Sequence, residues 1–203
     1  MSQLGQDEWV LSVFPNKEGY FVDIGCADGI YLSNTNKLEQ NGWKGLCIDV
    51  NPTNYENRPN TKVVKKMVYS EKNIKKNFIL SEDPTLSGII DHLGYWKNHV
   101  LGKLSYTNIE METSILVDIL DENNAPKYID YLSIDIEGSE YEVIRTFPFD
   151  KYTFGCITIE HNDENDKRMN IRNILENNNY SFIKEVAHDD WYIHNTQNNK
   201  TIK

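Results

Sequence analysis

Tyr20-Phe-Val-Asp-Ile-Gly-Cys-Ala-Asp-Gly-Ile30 is an apolar, β-branched run that breaks into an acidic turn bearing two glycines. A buried strand feeding a glycine loop at the start of a helix is the usual nucleotide cradle of doubly wound α/β folds, because glycine lets backbone N–H groups approach a ligand closely. The sign of the loop decides which nucleotide it suits. A dinucleotide site carries G-x-G-x-x-G so that a helix N-terminus faces a pyrophosphate. Here Gly25 and Gly29 flank Ala27, and Asp28 puts a carboxylate where the pyrophosphate would lie. That carboxylate suits instead a cofactor whose near end carries an ammonium and a sulfonium.

Working outward, strand and helix signals alternate. Residues 3–14 read as a helix whose stripe is Trp9, Val10, Val13 and Phe14. A strand over 20–24, a helix over 32–41 and a strand over 45–50 make one βαβ unit. Weaker strands fall at 63–68 and 78–81. A helix at 114–122 precedes a strand at 128–135, a helix at 140–146, a strand at 155–160 and a helix at 164–178. Residues 180–187 and 191–194 read as a terminal antiparallel pair. The pattern predicts a single doubly wound, Rossmann-like α/β domain over residues 1–203, with a mostly parallel sheet of about seven strands, a C-terminal antiparallel strand and helices on both faces. The polar tail 195–203 is expected to fray.

Composition narrows the choice. The 203 residues hold 21 Lys and Arg against 31 Asp and Glu, a net charge of −10, without a basic cluster that could grip a phosphate backbone, so nucleic acid is a disfavoured partner. Apolar runs are strand-sized and the polar start lacks the regions of a signal peptide, which predicts no membrane span and a cytoplasmic protein. Cys26, Cys47 and Cys156 are odd in number and widely spaced, against both a disulfide framework and a zinc site, and are read as small apolar packing residues.

Val-Asp-Ile-Gly-Cys-Ala-Asp-Gly, residues 22–29, resembles the first glycine-rich motif of S-adenosylmethionine-dependent methyltransferases. Together with Ser2-Gln-Leu-Gly-Gln-Asp-Glu-Trp9, Gly42-Trp-Lys-Gly-Leu-Cys-Ile-Asp-Val-Asn-Pro52 and Ile129-Asp-Tyr-Leu-Ser-Ile-Asp-Ile-Glu-Gly-Ser-Glu-Tyr-Glu-Val-Ile-Arg145, it resembles the FkbM family of O-methyltransferases over residues 2–161. The chain departs at Asp49, where that family usually has Glu, and in a middle segment that does not align. The resemblance implies S-adenosylmethionine as cofactor. The expected contacts are Gln6, Asp23, Gly25, Cys26, Asp28, Asn34, Asp49, Val50, Val68, Asp135 and Glu137.

Several of these residues also have a plain structural reading. Asp49 ends a strand 20 positions after Gly29, where an acid often accepts two ribose hydroxyls, and it equally could cap the Asn-Pro turn that follows. Asp23, inside a strand, needs buried donors and either meets the cofactor loop or merely holds it. Val68 ends a weak strand where the family places the adenine. In Asp135-Ile-Glu-Gly-Ser-Glu140, Asp135 should face the transferred methyl, whereas Glu137 and Glu140 serve either chemistry or a helix N-terminus.

The Glu160-His161-Asn162 run offers His161 as general base beside Asp135, or Asp135, Glu160 and His161 as ligands of magnesium or manganese. Vicinal residues point to opposite strand faces, which favours the metal-free route. Residues 84–113 carry His92, Tyr95, Trp96, His99 and Tyr106, aromatics that suit a sugar and equally suit an anchored cap. The expected function is O-methylation of a hydroxyl on a sugar, glycan or sugar-bearing small molecule. An RNA ribose 2′-O-methyltransferase would need a lysine near Glu160, and none is there. Asp28 opposes a nicotinamide dehydrogenase, and a non-catalytic scaffold would be expected to have lost the acids this chain keeps.

Overall fold

Strand β1 (Tyr20–Ile24) carries Phe21 and Val22 on opposite sides and both are fully buried, so it must lie between two covered faces. The computed structural model, which describes residues 2–15, 17–94 and 97–197, places β1 inside a seven-stranded sheet. It pairs in parallel with β2 (Lys44–Asp49) on one side and β8 (Tyr128–Ile134) on the other. Beyond β2 lies β3 (Thr61–Lys65), also parallel. Beyond β8 come β9 (Thr153–Glu160), parallel, then β11 (Asp189–His194), antiparallel to β9, and β10 (Tyr180–Val186), antiparallel to β11. The order is β10-β11-β9-β8-β1-β2-β3.

The two faces have separate cores. Helices α4 (Leu116–Glu122), α5 (Glu140–Ile144) and α6 (Asn165–Asn177) pack Leu120, Ile144 and Leu175 against Val22, Leu46, Leu132 and Ile157. On the opposite face α1 (Gln6–Val13) and α2 (Asn36–Gln40) pack Val10 and Leu38 against Phe21, Cys47, Tyr131 and Cys156. Burying such a side chain contributes about 1.5–3 kcal/mol. All three cysteines are free and buried, in keeping with the packing role. Among the described residues no helix is long and apolar enough to cross a membrane.

The middle of the chain departs from expectation. The strand expected over 63–68 is divided between β3 and β4 (Met67–Val68), and the short one at 78–81 lengthens to β5 (Lys75–Ser81). Residues read as an irregular insertion contain β6 (Gly88–Ile89), α3 (Lys97–Lys103) and most of β7 (Tyr106–Ser114), whose residues 106–112 pair antiparallel with β5 and whose last two pair in parallel with β4. These form a second sheet in the order β4-β7-β5-β6. The helix expected over 32–41 covers only Asn36–Gln40, because Leu32 takes a positive φ of 53° and the chain turns before it can wind. Tyr95, Trp96 and residues 198–203 lie outside the described residues. Asn195 and Gln197, at the start of the expected tail, are tied back to Asn179 and to the Tyr128 hydroxyl.

Candidate active site

The strand order reverses between β1 and β8, and a crevice opens there beyond the carboxyl ends of the strands. Gly25 closes its floor with φ 84°, so near to β8 that a Cβ would sit 1.6 Å from the Asp135 carbonyl oxygen. Backbone bonds from Gly25 N to Ile48 O (2.9 Å) and from Asp135 N to Ile24 O (3.0 Å) stitch the tips of β2, β1 and β8 together. Above them lies a cavity of about 390 Å³, roofed by Phe78 and Ile89 of the second sheet and by Leu86 from the turn between β5 and β6.

Asp23, Gly25, Cys26, Asp28, Asn34, Asp49, Val50, Val68, Asp135 and Glu137 all line this cavity. Gln6 does not. Its amide donates to Asp189 Oδ2 at 2.9 Å and accepts from Leu4 N at 2.8 Å, which makes it a tether between α1 and β11, while Gln3 reaches the lining in its place. The structure thus places Gln6, expected as a cofactor contact, outside the cavity lining.

The loop acids hold backbone. Asp28 Oδ1 accepts from Ile30 N and Tyr31 N, at 2.9 and 2.8 Å. Asp49 Oδ2 accepts from Ala27 N at 2.9 Å, and its Oδ1 from Asn51 N at 2.7 Å. Asp49 is therefore a turn cap, as one reading had it, yet it stays in the lining with lone pairs to spare, since a carboxylate has about four acceptor sites. Burial pushes its carboxyl above the usual range, and does the same to Asp23, whose Oδ2 accepts from Thr35 Oγ1 at 2.7 Å.

Arg58 holds the loop from behind and was not singled out in the sequence. Its buried guanidinium donates to Glu39 Oε2 (2.6 Å), to the Gly29 carbonyl (2.9 Å) and to Thr35 Oγ1 (3.2 Å). An isolated arginine in a polar stretch gives no local signal of that role. Asn34 donates to Ser133 Oγ at 3.0 Å, which leaves its Oδ1 buried without a partner. A buried unpaired acceptor on a cavity wall calls for a donor from a ligand.

Asp135, Glu137 and Glu160 bring carboxylate oxygens within 4.8 Å of one another. Burial, with Asp189 and Glu140 nearby, pushes Asp135 up to about 7. Burial, then Asp135 and Glu140, pushes Glu137 up to about 9, and burial and the same neighbours raise Glu160. Glu160 Oε2 accepts from Asn162 Nδ2 at 2.7 Å, whereas Glu137 Oε2 is buried with no partner. Glu140 has the structural role: its Oε1 accepts from Ile136 N at 2.9 Å and from Gly138 N at 3.1 Å, fixing the turn that carries Glu137.

His161 stands apart from this cluster. Its ring is buried on the other side of the β9 tip, with Nδ1 accepting from Asp163 N at 3.2 Å and Nε2 lying 3.8 Å from Asp190 and 4.0 Å from Glu185. Burial and the Arg168 guanidinium lower its pKa, so the ring is neutral near pH 7. The structure therefore does not bring His161 to Asp135, either as base or as ligand. Asn162 and His188 line the cavity instead, and Glu137 supplies the third carboxylate.

The family model described as the methyltransferase FkbM domain matches residues 23–182. No curated protein and no solved structure matches the chain. The matched stretch runs from within β1 into β10 and takes in the glycine loop, Asp49 and the carboxylate cluster; the chain belongs to the FkbM methyltransferase family, and it is a methyltransferase.

Proposed function

We propose that the chain is an S-adenosylmethionine-dependent O-methyltransferase whose acceptor is a hydroxyl of a sugar, a glycan or a sugar-bearing small molecule. The observation that carries the cofactor half is the buried, unpartnered Asn34 Oδ1, which shares one cavity with Asp49 and the Gly25 loop. An ammonium donor satisfies the first, ribose hydroxyls the second, and Val50 and Val68 supply apolar wall for a base. When bound, the cofactor supplies a methyl group that is already electrophilic. The chain then has two tasks: to hold a nucleophilic oxygen in line and to take its proton.

Asp135 is the base in this reading. Its carboxyl, held near neutrality by burial, has the proton affinity that suits general-base work near pH 7. Glu137 and Glu160 flank it, and Ser81, Thr85 and Ser87 on the roof offer hydroxyls among apolar neighbours, a mixture that suits a polyol. The grouping of Asp135, Glu137 and Glu160 also favours a second route, in which these carboxylates hold magnesium or manganese that lowers the pKa of the acceptor hydroxyl. The reading implies a cytoplasmic enzyme, a setting in which free thiols persist.

Calorimetry should show binding of S-adenosylmethionine and its demethylated product and none of NAD, and transfer of labelled methyl to oligosaccharide pools should follow. Binding of NAD in place of adenosylmethionine would overturn the reading. Activity that survives EDTA assigns Asp135 as base, whereas activity lost to EDTA and restored by magnesium or manganese assigns the metal route.

A further inference from the structure

The proposed methyl transfer occupies the inside of the cavity and leaves its mouth unassigned. Cofactor and acceptor share about 390 Å³, so only the reacting end of the acceptor fits inside and the rest extends past the rim. The lining changes character there. Its interior is acidic, whereas none of its exposed residues is Asp, Glu, Lys or Arg. Two of those exposed residues, Gln3 and Tyr31, have side chains with no hydrogen bond, ion pair or ring contact among the described residues.

Both are presented by carboxylates that hold backbone. Tyr31, at 69% exposure, is the most exposed large hydrophobic residue described. Its N–H donates to Asp28 Oδ1 at 2.8 Å, and Leu32 beyond it takes a φ of 53°, so the loop holds the ring out at the rim. Gln3 sits in a turn fastened from below. Asp7 accepts from Ser2 N at 3.1 Å and from Ser2 Oγ at 2.6 Å, while Gln6 Oε1 accepts from Leu4 N at 2.8 Å. Asp7 and Gln6 are each 1% exposed, and burying such groups is costly unless their partners are fixed, so the turn between those partners is rigid. The two residues belong to one edge of the mouth. Gln3 precedes α1, Tyr31 precedes α2, and Glu8 pairs with Lys37 across the starts of those two helices.

A free aromatic face beside a free amide is the chemistry that receives a sugar ring: the apolar C–H face lies on the aromatic, and hydroxyls meet a group that both donates and accepts. We infer, on the basis of the proposed methyl-transfer reading, that Tyr31 and Gln3 form a second acceptor subsite at the cavity mouth, which takes an uncharged pyranose joined to the sugar that is methylated. The acceptor is then an oligosaccharide or a glycoside, and the reaction that supplies it is a glycosyl transfer. The cofactor has no call on Tyr31 in this reading, since Asn34, Asp49, Val50 and Val68 receive its amine, ribose and base inside the cavity.

Ligand-observed saturation-transfer NMR titrations test this on the full chain loaded with S-adenosylhomocysteine, with cellobiose, lactose and maltose set against glucose and galactose. At least one disaccharide should bind about tenfold tighter than either monosaccharide, the value of one stacked ring and one neutral hydrogen bond together. Tyr31→Ala should remove most of that gain, Tyr31→Phe should keep it, and Gln3→Ala should cut it about threefold. Calorimetry should find adenosylhomocysteine affinity unchanged in all three variants, which also shows that they are folded.

The absence of any disaccharide gain, including no signal from any probe, overturns the inference, as does a gain that survives Tyr31→Ala. Weakened adenosylhomocysteine binding in Tyr31→Ala overturns it too, and makes the ring a cover for the cofactor. Cofactor binding without a disaccharide gain defeats the subsite alone, whereas failure of the parent chain to bind adenosylhomocysteine defeats the methyl-transfer reading and the subsite with it.

Discussion

Replacing Asp49 with alanine should cost the protein twice, once in stability and once in cofactor affinity. Its carboxylate holds Ala27 N at 2.9 Å and Asn51 N at 2.7 Å, and Ala27 sits at φ 43°, a conformation an L residue adopts only when held there. Hydrogen bonds to charged groups contribute about 1.5–3 kcal/mol each, but both N–H groups can recover water, because Ala27 is half-buried and Asn51 exposed. A net loss of about 1–2 kcal/mol is left, which in a domain of this size lowers the melting temperature by about 2–8 °C. The missing ribose acceptor removes about 1.5–3 kcal/mol of binding, or roughly ten- to a hundredfold in affinity. Differential scanning fluorimetry reads the first effect and calorimetry with S-adenosylhomocysteine the second. Asp49→Asn should fall between, since an amide has one acceptor oxygen for two backbone donors. A variant that melts lower yet binds adenosylhomocysteine as tightly as the parent would refute the ribose assignment and leave Asp49 a turn cap.

Asp135→Asn should reduce turnover by about 10²- to 10⁴-fold, and His161→Ala, which removes a ring outside the cavity, by no more than about threefold; a reversed ranking would return the imidazole to the chemistry. Arg58→Ala leaves the buried Glu39 without its counter-charge, with only Asn60 N and Thr61 Oγ1 still donating to it, and should destabilise the fold by about 3–5 kcal/mol, seen as a shift of the urea midpoint at unchanged slope. The pH dependence has a definite sign. Asp135 at about 7 and Glu137 at about 9 lie above their unfolded values, so between neutrality and pH 9 the native state binds more protons than the unfolded one and stability falls as pH rises. The melting temperature of the cofactor-free protein should drop across that window and flatten in Glu137→Gln; a rise in the parent protein would contradict the assignment.

The central strands were legible because burial on both faces leaves near-continuous apolar runs, as in Tyr20–Ile24, broken only by Asp23, and Tyr128–Ile134, broken only by Asp130 and Ser133. β7 was not, although its period of two is present: Ile109, Met111 and Thr113 turn inward while Asn108, Glu110 and Glu112 face solvent. A strand with so few apolar residues reads as loop until its partner β5 is known. The reach of Arg58 across to Gly29, Thr35 and Glu39 was hidden for a similar reason, since it exists only once three separate segments are packed. Alternation did warn that Glu160 and His161 face opposite ways, and they do: Glu160 enters the cavity and His161 leaves it.

What no sequence pattern carried is the strain around the cavity. Ala27, Glu137 and Asn162, at φ 43°, 57° and 47°, follow the tips of β1, β8 and β9, and each lines the cavity. Positive φ at such residues costs of order 1–3 kcal/mol and persists only where neighbours enforce it. In each case a carboxylate does so: Asp49 holds Ala27 N, Glu140 holds the N–H groups on either side of Glu137, and Glu160 accepts from the Asn162 side chain. The strand-tip acids that stood out as chemistry are thus also the clamps that keep three loops open around one space. Their burial has two consequences from one cause. The Glu140 bonds are strong because the carboxylate that accepts them is buried, and burial at the same strand tips raises the proton affinity of Asp135 to about 7, where a carboxyl can take a hydroxyl proton near neutral pH, and that of Glu137 beyond it, to about 9.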